Sequence, residues 1–140
     1  MLKAYQQTLN EPITLLGKGL HTGKKVKMTI LPGKANQGIV FKRIDLKKDN
    51  LVCANYKNVS SAKLCTTLEN DHGVKVSTVE HLLAALYISE IDNALIEINS
   101  QEVPIMDGSA KDFIKALKNI NTKKQDAKRK YLKILEEVEL

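Results

Sequence analysis

The sequence predicts an α+β fold, and three observations carry that prediction. Short runs of alternating polarity mark strands, two longer stretches repeat apolar residues at helical spacing, and the strands precede and separate the helices. Such an order is expected to build a mainly antiparallel sheet with both helices laid on one face.

Along the chain, Gly17, Gly19 and Gly23 set tight turns around Leu20-His21-Thr22. Residues 25–31 follow as a strand with Val26, Met28 and Ile30 on one face. Residues 39–43 and 94–99 alternate in the same way, and 64–68 does so more weakly. Pro32-Gly33 and Asp71-His72-Gly73 are turns. Residues 78–88 place Val79, Leu82, Leu83 and Leu86 at i, i+3, i+4 and i+7, and residues 109–120 repeat the pattern with Ala110, Phe113, Ile114 and Leu117. Each helix is expected to start at a serine, Ser77 or Ser109, followed three residues on by Glu80 or Asp112. A serine hydroxyl there accepts an orphan backbone N–H.

At 140 residues, 43% apolar and 27% charged, the chain is one globular domain, with room for the start of another. Cys53 and Cys65 are too few for a disulfide scaffold. The first ten residues hold no apolar run of a signal peptide. The longest apolar stretch, residues 82–88, falls well short of the roughly 20 needed to span a bilayer. A reduced, cytoplasmic, soluble protein without a transmembrane segment is expected.

The net charge of +6 suggests nucleic acid at first sight. Its distribution does not. Lys118, Lys123, Lys124, Lys128, Arg129, Lys130 and Lys133 face only Asp126 in their segment and account for the whole excess. The segment also lacks the interleaved aromatic residues that stack on bases, so no nucleic-acid partner is expected. Residues 121–130 are expected to be a solvated basic linker. Residues 131–140 follow, with Leu132, Ile134, Val138 and Leu140 on one face of an extended segment. They are expected to be the first strand of a second unit, which makes this chain an N-terminal half.

Chemistry concentrates at the start of the first helix. At about 100° per residue, His81 points away from the Val79–Leu82–Leu83–Leu86 stripe, across a face shared with Ala84 and Ala85. Such an imidazole is either in solvent or offered to an element that docks there. The positive end of the helix dipole suits an anionic Glu80 and a neutral imidazole, the forms wanted of a general base and a metal ligand. The two side chains diverge by about 100°, so one could bind an ion while the other reaches its water. Against this, Glu80 could simply close a capping box on Ser77. His21 between its glycine turns is either a loop residue or a substrate-side contact. His72 reads as a turn residue and Cys65 as a small buried hydrophobe.

These features recur together as a family pattern. Gly17-Lys18-Gly19-Leu20-His21-Thr22-Gly23, Cys65-Thr66-Thr67-Leu68, Ser77-Thr78-Val79-Glu80-His81-Leu82, Ile91-Asp92-Asn93 and Glu102-Val103-Pro104-Ile105-Met106-Asp107-Gly108 occur in that order. They resemble the N-terminal half of the UDP-3-O-acyl-N-acetylglucosamine deacetylases, zinc amidases of lipid A synthesis in Gram-negative bacteria. The resemblance implies two ribosomal-S5-like domains facing each other across the active site. Residues 1–120 would be the first, 121–130 the linker and 131–140 the opening of the second. It implies that His81 is a Zn2+ ligand, Glu80 the general base, and Leu64, Cys65 and His21 substrate-lining, with the Glu102–Ala110 motif structural. The family's remaining zinc ligands, in a His-Lys-x-x-Asp motif, and its histidine acid are absent from these residues. The chain alone is therefore expected to be inactive, its partners being UDP-3-O-acyl-N-acetylglucosamine and its own C-terminal domain in a monomer, cytoplasmic or peripheral at the inner membrane. Two other readings are an S5-fold RNA-binding module using residues 118–133 and a structural half-domain docking through Ala84 and Ala85.

Overall fold

The computed structural model describes residues 4–139. Ten strands and two helices follow the chain as β1 (Tyr5–Leu9), β2 (Ile13–Lys18), β3 (Lys25–Pro32), β4 (Ile39–Arg43), β5 (Leu51–Cys53), β6 (Val59–Ser61), β7 (Thr67–Glu69), β8 (Lys75–Ser77), α1 (Glu80–Ile88), β9 (Ala94–Ile98), α2 (Lys111–Lys118) and β10 (Thr122–Lys128). The fold is α+β, with strand pairs mainly antiparallel.

The main sheet runs β2-β3-β9-β4-β5, and only β4 and β9 pair in parallel. Its register explains the core. Ile13 opposes Ile30, Ile30 opposes Ile96, Ile96 opposes Phe41 and Phe41 opposes Val52, so one row of apolar side chains crosses all five strands. Ile30, Ile96, Phe41 and Val52 are fully buried, each stabilising the fold by about 1.5–3 kcal/mol through the area it removes from water. Val79, Leu82, Ala85 and Leu86 of the α1 region and Phe113 and Leu117 of α2 join the same core, and the two helices pack on each other. A second sheet, β6-β7-β8, carries the chain into α1.

The basic stretch 121–130 is not a free linker. Residues Thr122–Lys128 form β10, antiparallel to β1. Outward charge is compatible with a strand at the surface, because Gln125 and Ala127 turn inward while the lysines stay in water. Gln125 Nε2 donates to the Gly33 carbonyl at 2.8 Å, and its Oε1 accepts from Asn93 Nδ2 at 2.8 Å. Lys124 Nζ lies 3.8 Å from the centroid of the Tyr5 ring, a cation–π contact across the ribbon. Of the strand expected at 131–140, Leu140 lies outside the described residues, and 131–139 are exposed and outside any strand.

Helix starts differ from expectation as well. Ser77 belongs to β8, Val79 is the residue before α1, and no side chain caps the helix. The chain turns at Thr78, whose φ of 57° is an uncommon conformation for a β-branched residue. At α2 the serine does act: Ser109 Oγ accepts from Lys111 N at 3.1 Å and donates to Asp107 Oδ1 at 2.8 Å. The apolar face of α1 is also rotated. Ala85 is fully buried rather than beside an open imidazole, while Ala84, Tyr87 and Ile88 are exposed and Leu83 is half-buried.

Candidate active site

Three segments meet around the first turn of α1: the turn itself, the Leu64–Cys65 loop before β7, and the glycine loop carrying His21. Two carboxylates hold them together.

Glu80 is the first residue of α1 and half-buried. Its Oε2 accepts from the backbone N–H of Thr66 at 3.1 Å. The capping box expected with Ser77 is therefore not formed, since Ser77 is a strand residue whose hydroxyl donates to the Gln101 carbonyl. The carboxylate instead fastens the Leu64–Cys65 loop to the helix start. Oε1 has no hydrogen bond among the described residues and is free to meet a substrate or a water. His81, next along the turn, is half-buried.

The loop is held in an unusual shape. Leu64 has φ 66° and is 86% exposed, too exposed and twisted to begin the strand expected at 64–68. Pairing starts only at Thr67. Cys65 is a half-buried free thiol rather than a core residue, its Sγ 3.8 Å from Thr67 Oγ1. An exposed leucine beside a polar helix start gives apolar contact area to a ligand that spans both.

Glu102 is the second carboxylate, and no solvent reaches it. Oε1 accepts from His21 N at 2.9 Å and from Thr78 Oγ1 at 3.1 Å, and Oε2 accepts from Thr22 N at 2.8 Å. Burial pushes this carboxyl up, but the hydrogen bonds from the His21 and Thr22 amides and the Thr22 and Thr78 hydroxyls outweigh it and hold the group below its ordinary value. His21 itself is exposed. Around Glu102, Ser77 N donates to the Gln101 carbonyl at 2.9 Å, Val103 N to the Ser77 carbonyl at 3.0 Å, and Ile105 N to the Lys18 carbonyl at 2.9 Å. The segment thus splints β8 to the end of β2. The structural role expected of the Glu102–Ala110 motif does not by itself reveal that this carboxylate is buried.

Among the described residues no group of three or more His, Cys, Asp or Glu could hold a metal ion. A catalytic zinc takes three protein ligands and a water, so His81 can be one donor of such a site and these residues do not complete it.

Residues 6–140 match the LpxC family, UDP-3-O-acyl N-acetylglycosamine deacetylase. The chain belongs to that family. Among curated relatives, a UDP-3-O-acyl-N-acetylglucosamine deacetylase of Shewanella frigidimarina is 45% identical over 134 residues, covering 96% of this chain and 44% of the relative. One from Shewanella baltica is 45% identical over 130 residues, covering 93% and 42%. The chain spans less than half the length of the curated relatives it matches. Among the described residues no helix is long and apolar enough to cross a membrane.

Proposed function

We propose that this chain is the N-terminal, ribosomal-S5-like domain of a zinc-dependent deacetylase acting on UDP-3-O-acyl-N-acetylglucosamine in lipid A synthesis. The products are acetate and a free amine on the sugar. The observation that carries the proposal is the start of α1, where Glu80 and His81 stand side by side, half-buried, against the Leu64–Thr66 loop, in a chain of this family.

His81 would hold the Zn2+ through one ring nitrogen, with the other ligands supplied from beyond these residues. When bound, zinc supplies Lewis acidity at the acetamide carbonyl and acidifies water. Glu80 takes the proton of the attacking water at Oε1 while Oε2 stays on Thr66 N–H, which fixes the direction of the free oxygen. Leu64, Cys65 and His21 line the substrate side, with Leu64 offering apolar contact. Residues 131–140 lead into the second domain, and the enzyme works as a monomer in the cytoplasm, peripheral to the inner membrane.

The test measures acetate release by the complete protein from UDP-3-O-acyl-N-acetylglucosamine, before and after metal removal by a chelator. Release should stop on chelation and return with Zn2+, and the 140-residue chain alone should release none. Release that survives full metal removal rejects the zinc proposal, and no release by the metal-loaded complete protein rejects the substrate.

A further inference from the structure

We infer that Glu102 is a positioning residue, whose buried carboxylate locks the His21 loop to the turn that launches α1 and so sets His21 relative to Glu80 and His81. For its effect on turnover the inference rests on the deacetylase function proposed above, whereas its effect on the loop does not.

The geometry is specific. A carboxylate has two oxygens and about four acceptor sites. Glu102 uses them on two segments far apart in sequence: the amides of His21 and Thr22 on one side, and the Thr78 hydroxyl on the other. Thr78 carries the φ of 57° that lets β8 end and α1 begin two residues later. A strained turn persists only where its surroundings hold it, and the bond from Thr78 Oγ1 to the fixed carboxylate is such a hold. On the loop side, Gly19 is buried, and a Cβ there would strike Glu102 Oε2 and Thr22 Oγ1. The loop therefore wraps directly on the carboxylate with no space between. An exposed histidine on a glycine-rich loop would otherwise sample many orientations. Anchoring its own amide and the next one to a buried anion leaves the imidazole with little freedom beyond its χ angles.

Glu102→Gln tests the lock. An amide keeps one acceptor oxygen but turns a donor toward one of the loop N–H groups, so a single loop bond is lost and the shape is kept. In this 140-residue chain, hydrogen exchange of the His21 and Thr22 amides should accelerate about tenfold or more, while Met28 and Ile30 in β3 stay within about twofold. In the complete protein, kcat/KM should fall about tenfold, and the same substitution in a His21→Ala background should cost less than about twofold further, as expected of a residue acting through His21. Should E102Q not fold, Thr78→Ala reads the lock from its other end, with about threefold faster exchange at His21 and Thr22 as the expected result. Unchanged loop exchange overturns the inference, as does acceleration that includes β3 equally, or full additivity of E102Q and H21A. Faster loop exchange in a complete protein that releases no acetate even as wild type would uphold the lock and reject the deacetylase function instead.

Discussion

The Glu80 carboxylate reaches across fourteen residues of sequence to take the Thr66 N–H at 3.1 Å, so the side chain proposed as base also fixes the loop beside it. Two substitutions separate these roles. Glu80→Gln keeps an acceptor oxygen for Thr66 but cannot take a proton. Turnover of the complete protein should drop about 100-fold or more, with exchange of the Thr66 amide unchanged. Glu80→Ala should lower turnover at least as far and speed Thr66 exchange as well. Near-wild-type turnover in E80Q, measured as acetate release, removes Glu80 from the base role.

The buried face of α1 gives a second prediction. Ala85 is fully buried and Ala84 is exposed, one residue apart. Ala85→Leu forces three extra carbons into the filled core and should destabilise the chain by about 1–3 kcal/mol. Ala84→Leu should stay within about 0.5 kcal/mol. Urea unfolding of the two variants checks the difference, and equal costs would mean that the helix is rotated from the orientation described.

Alternation makes β3, β4 and β9 of the main sheet readable from sequence, but not β2 or β5. Val26, Met28 and Ile30 were assigned to one face, and residues 39–43 match β4 end to end. The α1 start was harder because a serine three residues before an acid looks the same whether it caps a helix or ends a strand. Thr78 at positive φ decides between these, and nothing in a threonine announces it. In the basic segment the lysines dominate the composition and hide the strand β10. Strand pairing with β1 is made by backbone atoms, and the side chains of Gln125 and Thr122 supply polar contacts to the rest of the fold. Family motifs singled out Glu80, His81 and the Leu64–Cys65 loop. The motif that opens with Glu102 reads as structural, but the partners of its carboxylate are not legible, because His21, Thr22 and Thr78 lie 81, 80 and 24 residues away.

Acid should loosen the fold through Glu102. Its folded value is held below the ordinary 4.5 by the amides and hydroxyls around it, despite burial. A depressed carboxylate contributes stability that is fully present above its unfolded value and is lost as pH falls through the folded one. The stability gap between the chain and E102Q should therefore be widest near about pH 6 and narrow steadily below about pH 4.5. Asp45, held down first by its hydrogen bond from Arg43, titrates alike in both and cancels. A gap independent of pH, measured by urea midpoints, would show that the carboxylate's charge contributes nothing to the lock.

Arg129 closes the N-terminal ribbon and gives the last prediction. Its Nε donates to Asp92 Oδ1 at 2.6 Å, and its backbone N–H donates to the Ala4 carbonyl at 3.0 Å. Asp92 Oδ2 meanwhile accepts from Gln7 N at 2.8 Å, so one carboxylate joins β1, the entry to β9 and the residue just after β10. Both side chains are more than four-fifths shielded, enough for removal of one partner to leave a poorly solvated charge. Arg129→Ala should cost about 2 kcal/mol in urea unfolding, and Asp92→Ala more, because the Gln7 amide loses its acceptor too. Asp92→Asn, which retains an oxygen for Gln7, should fall between the wild type and Asp92→Ala. If all three variants unfold at the wild-type midpoint, the ion pair contributes no net stability and the ribbon is held by backbone pairing alone.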